Sequence, residues 1–139
     1  MSQNGVLSAE FKTITDKAIA FVEDVSNLLN TTDNSITNYK GTGIVYFMYL
    51  FDKNTKETKL VYIGKSKGYI FKTRVRNHVF KKHPKTGSKL ALVQSEVAKG
   101  NKIKMKFLQV SPESFRNTLE EELINHFRPS WNIQKQRKK

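Results

Sequence analysis

From Leu7 to Leu29 the apolar positions Leu7, Phe11, Ile14, Ala18, Phe21, Val22, Val25, Leu28 and Leu29 keep the three-and-four spacing of an amphipathic helix. Residues 30–42 are dense in Asn, Thr, Asp, Ser and Gly, a turn-forming stretch that ends this helix and separates it from the rest of the chain. Two β-rich runs come next, Gly43 to Phe51 and Lys59 to Gly64, with the polar loop 52–58 between them, so an antiparallel hairpin is expected. Helices are predicted over Phe71–Lys82 and Ser88–Lys99, the break at Pro84-Lys85-Thr86-Gly87 dividing them and Gly100 ending the second. Ile103, Met105 and Phe107 then alternate with Lys102, Lys104 and Lys106, the pattern of a half-buried strand with a basic outer face. A last helix opens near Pro112 and stops at Phe127, because Arg128-Pro129 cannot continue it. The expected fold is α/β of the α+β kind: a small, mainly antiparallel three-stranded sheet flanked by helices. Residues 1–40 form an N-terminal helical extension and linker, and residues 41–139 form the main domain.

Composition narrows the chemistry. With 139 residues one compact domain is the expectation. The absence of cysteine excludes disulfides, thiolate nucleophiles and sulfur-ligated zinc. No apolar run reaches membrane-spanning length and the first residues lack the pattern of a secretory signal, so a soluble, cytoplasmic protein without membrane association is expected. Charge is divided sharply: residues 1–40 carry 3 Lys and 5 acids, residues 41–139 carry 22 Lys or Arg and 7 acids. A field of that strength draws polyanions, and nucleic acid is the commonest of these inside a cell.

The candidate chemistry begins with Gly43-Ile44-Val45-Tyr46 on the first strand and Tyr62-Ile63-Gly64 on the second. Arg74 comes next, with Arg76 the alternative, and His78 stands four positions after Arg74 on the same helical face. The last helix carries Glu120-Glu121-Glu122-Leu123-Ile124 and then Arg128-Pro129 and Asn132; of the three glutamates, Glu120 keeps a twelve-residue interval to Asn132. Each motif alone describes an ordinary strand or acidic helix. Together, over residues 43–134, they resemble the GIY-YIG nuclease superfamily, in particular its small phage and restriction-type members. That resemblance implies an endonuclease. It implies Tyr46 as the residue that activates water, Tyr62 in support, and Glu120 as the ligand of one Mg²⁺ or Mn²⁺ per active site.

Elementary chemistry assigns the remaining parts. Arg74 offers a permanently charged planar fork to the nonbridging phosphate oxygens. Lys65 or His78 can assist a tyrosine whose ordinary pKa lies near 10, or take its proton. Asn132 is expected to hold Glu120 or the phosphate through its amide, and Trp131 to belong to the core. Lys67 and Arg76, with Lys135, Arg137 and Lys138 of the tail, are expected to contact the DNA backbone. Cutting both strands needs two active sites, which makes a homodimer or larger assembly the expectation, with the first helix either its interface or a cover for the sheet.

Overall fold

Gly43 to Tyr49 is buried without interruption, so this run must be a central strand covered on both faces. The computed structural model, which describes residues 8–30, 36–76 and 89–135, bears this out. The elements are α1 (Ser8–Glu23), β1 (Leu29–Asn30), β2 (Gly43–Phe51), β3 (Thr58–Lys67), α2 (Phe71–Val75), α3 (Leu90–Ala98), β4 (Lys102–Val110) and α4 (Phe115–Phe127). Short 3-10 stretches occupy Gly68–Ile70 and Ser130–Lys135. The strands form one antiparallel sheet in the order β1-β4-β2-β3.

Alternation along β2 divides the interior into two cores. Ile44, Tyr46 and Met48 join Phe71 and Val75 of α2 and Val93 of α3. Val45, Phe47 and Tyr49 join Ala18 and Val22 of α1 and Leu119, Leu123 and Ile124 of α4. The N-terminal segment thus contributes a helix to one of the two layers that cover the sheet.

Three expectations are corrected. The sheet has four strands, not three, because Leu29 and Asn30 pair with Met105 and Lys104 of β4. The first helix stops at Glu23, not Leu29: the Asp24 carboxylate accepts bonds from the backbone N–H and the hydroxyl of Ser26 (3.0 and 2.6 Å), a local turn that competes with helix. Finally, β4 has no uniformly exposed basic face. Lys106 is buried, and its ammonium donates to the carbonyls of Phe21 (2.5 Å) and Asp24 (2.8 Å) while lying 4.0 Å from the Phe21 ring centroid.

The bond to Phe21 answers a need of the helix, since the last carbonyls of α1 have no partner within it. Tyr49 answers another by donating to the Val22 carbonyl at 2.6 Å. At the other end of the fold, Arg128 adopts φ 48°, ψ 58° and stops α4 where the sequence places its end. The expected helix over Phe71–Lys82 is seen as α2, and its continuation past Arg76 lies outside the described residues. No helix among the described residues is long and apolar enough to cross a membrane.

Candidate active site

Tyr46 stands opposite Gly64 across the β2–β3 pair. A Cβ at Gly64 would collide with the Cζ, Cε2 and hydroxyl of Tyr46, so glycine is what lets the phenol lie across β3. The ring centroid of Tyr62 is 6.1 Å away, and Phe71 packs against Tyr46 at 5.7 Å. The two hydroxyls share a hydrogen bond, which makes the Tyr46 proton harder to remove and the Tyr62 proton easier. Burial pushes Tyr46 well above its ordinary pKa; Tyr62 and Glu120 add to that and Arg74 opposes it. Tyr62 is also raised, by burial and then by the Glu120 charge, against the Tyr46 hydrogen bond and Arg74. The field of one carboxylate and one guanidinium therefore reaches both phenols.

That carboxylate comes from α4. Of the three consecutive glutamates only Glu120 is buried, at 3% exposure, whereas Glu121 is exposed and Glu122 half-buried. Lys65 Nζ of β3 lies 3.6 Å from Glu120 Oε1. Arg74, exposed on α2, is fixed to the same strand by its Nε, which donates to the Lys65 carbonyl at 3.2 Å. Lys65, Lys67 and Arg74 line a cleft of about 250 Å³, and Arg116 of α4 joins them. Sequence reasoning missed Arg116; its signal was the four-residue spacing to Glu120, which sets both on one face of the helix. A larger cavity, about 400 Å³, lies between α1, β4 and α4 and contains none of these groups.

Asn132 has a different partner from the one expected. Its amide nitrogen donates to the Ile63 carbonyl and its oxygen accepts from the Ile63 N–H, both at 2.8 Å, so it pairs with β3 as a neighbouring strand would. It positions the strand that holds Tyr62 and Lys65, and both amide atoms are engaged there rather than on Glu120. Trp131 packs against the core as expected, and its carbonyl accepts from Lys89 Nζ at 2.6 Å. The same ammonium stands 5.2 Å from the Tyr62 ring centroid. Arg76 is half-buried with its Nε enclosed and does not line the cleft. His78, Arg137, Lys138 and the side chain of Lys135 lie outside the described residues.

Among the described residues no three His, Cys, Asp or Glu side chains gather as a metal cage. A lone buried carboxylate suits a hard cation that keeps most of its own water, and does not suit one that demands a full set of protein ligands.

Comparison with known proteins agrees with the geometry. A family model described as the GIY-YIG catalytic domain matches residues 43–135, the span from the first residue of β2 to the 3-10 stretch that holds Asn132. No curated protein and no solved structure gives a significant match. A match over two thirds of the chain settles its kinship: the protein belongs to the GIY-YIG family, and residues 43–135 form a nuclease-type catalytic domain.

Proposed function

We propose that this domain is a divalent-metal-dependent endonuclease that hydrolyses phosphodiester bonds in duplex DNA, in the manner of the small restriction and phage enzymes. The observation that carries the reading is the convergence of two hydrogen-bonded tyrosines, one buried carboxylate and one arginine within mutual electrostatic reach. The basic charge of residues 41–139 supports a polyanionic substrate.

Each residue then has a task. Arg74 grips the nonbridging oxygens, compensating the charge that develops on phosphorus. Tyr46 orients the attacking water and takes its proton as phenolate, the minor form at neutral pH because burial holds the phenol protonated. Tyr62, hydrogen-bonded to Tyr46, turns its own O–H toward that phenolate once Tyr46 has lost its proton, while Lys65 offsets Glu120. Glu120 would hold one Mg²⁺ or Mn²⁺, whose chemistry is Lewis-acid stabilisation of the scissile phosphate and leaving oxygen. Cleavage of both strands by one such site per chain requires a homodimer or larger assembly, which sedimentation would reveal.

The test is incubation of supercoiled plasmid, single-stranded DNA and RNA with the protein and Mg²⁺ or EDTA. Expected are nicking and linearisation of the plasmid with Mg²⁺ only, with loss by roughly 10²–10³-fold or more in Glu120→Gln and Arg74→Ala while the proteins stay folded and bind DNA. Full metal-dependent activity in Glu120→Gln overturns the assignment. Binding without cleavage by the unaltered protein would make it a nucleic-acid-binding module instead.

A further inference from the structure

Arg116 and Glu120 rise from one face of α4, yet only Glu120 belongs to the tyrosine, carboxylate and arginine constellation. The Arg116 side chain is only 15% exposed. Its Nη1 donates to the Glu113 carbonyl at 2.9 Å and lies 3.6 Å from Glu113 Oε1, so the guanidinium is held in place from the start of the helix. It shares the 250 Å³ cleft with Lys65, Lys67 and Arg74, and among the described residues no acid lines that cleft. Against these four cations stand the carboxylates of Glu113 and Glu120, ion-paired with Arg116 and Lys65, so among these six groups the positive charge is in excess. Like charges assembled on fixed elements repel one another, and an anion seated among them relieves that repulsion. Tyr69, 51% exposed, lines the same cleft with Lys67 Nζ 6.0 Å from its ring centroid. An aromatic face beside cations suits a nucleotide chain better than a free anion.

We infer that this cleft holds two neighbouring phosphates, the one that is cut at Arg74 and a flanking backbone phosphate gripped by Arg116. The inference rests on the proposed endonuclease reading and assigns Arg116 to substrate binding. Because the guanidinium is already fixed by Glu113, it meets the phosphate with little loss of side-chain freedom, which is where arginine outperforms a mobile lysine.

Binding of a short fluorescein-labelled duplex in EDTA, monitored by anisotropy over a series of KCl concentrations, tests it without catalysis. Arg116→Gln is expected to weaken binding about tenfold at low salt and to lower the salt slope by about one, and Arg116→Lys to restore the slope. Unaltered affinity and slope in an Arg116→Gln protein that melts like the wild type overturn the inference. The unaltered protein gives a second test that does not depend on any variant folding. Duplexes with single neutral methylphosphonates should show one sensitive position beside the scissile phosphate, and sensitivity at the scissile phosphate alone overturns the inference. Inorganic phosphate competing as well as duplex at equal ionic strength would overturn the nucleotide assignment. Failure of the two readings is distinguishable: plasmid that stays intact in Mg²⁺ defeats the endonuclease, whereas plasmid that is cut with an unchanged Arg116→Gln slope defeats only the flanking-phosphate contact.

Discussion

The ring of Tyr46 fills the space that a side chain on Gly64 would occupy. The glycine of the second motif is therefore a steric requirement of the tyrosine in the first, and the two motifs are one contact across paired strands. Gly64→Ala should displace the phenol and overpack a fully buried site, at a cost of about 1–3 kcal/mol. Plasmid nicking should fall about 10²-fold, since small displacements at a reacting centre are costly. Thermal melting and initial rates measured together check this; a fall in stability with unchanged rate would contradict it.

Asn132 should prove structural before it proves chemical. Asn132→Ala leaves the Ile63 N–H and carbonyl without their buried partner, a loss of about 2–4 kcal/mol if each bond is valued at about 1–2. Asn132→Asp keeps an acceptor for the N–H but sets an oxygen against the Ile63 carbonyl, so it should be no better than alanine. Urea unfolding of the three proteins gives the order.

Activity should climb with pH. If the working form of Tyr46 is the phenolate and burial raises its pKa, the phenolate fraction increases tenfold per unit throughout the neutral range. Initial nicking rates between about pH 6 and 9 should therefore rise with a slope near one on logarithmic axes, while Tyr46→Phe is slow and flat. A wild-type profile that is level across this range would remove Tyr46 from the role of base.

The end of α1 supplies a stability prediction. Lys106→Met removes an ammonium bonded to the carbonyl of Phe21 in α1 and to that of Asp24 just after it, and should cost about 2–3 kcal/mol by urea unfolding. Tyr49→Phe should cost about 1–2 kcal/mol by freeing the Val22 carbonyl. Burial, and secondarily the Asp24 charge, raise the Tyr49 pKa above its unfolded value near 10. The folded chain then keeps a proton that the unfolded chain gives up, so this contribution is intact below about pH 10 and is lost as pH rises beyond it. Tyr49→Phe should accordingly lose less stability than the wild type between neutral and strongly alkaline pH.

How much of this the sequence disclosed depended on the range of the interaction. The β2–β3 hairpin was legible because its signals, alternation and a polar loop, are local; its observed bounds differ from the expected ones by at most three residues. The end of α1 was not, because apolar spacing persists through Val25, Leu28 and Leu29 while the turn is made by Asp24 and Ser26. β1 was invisible for another reason: two residues become a strand only by pairing with β4, some 75 positions away in the chain. Lys106 looked like a surface charge because three lysines alternate, and only the docking of α1 buries it. Among the site residues, motif spacing singled out Glu120, the one glutamate of three that is buried. It misassigned the contact of Asn132, since no spacing reveals that an amide can pair with a strand.

That pairing also bears on how the chain behaves in a crowded solution. β3 is the terminal strand of the sheet, and Leu60-Val61-Tyr62-Ile63 is the kind of apolar, β-prone run on which a second copy could build by strand addition. By seating its amide on Ile63, Asn132 occupies the donor and acceptor that an incoming strand would need at the end of that run. One side chain thus serves as a guard against self-association at the edge strand that carries Tyr62 and Lys65.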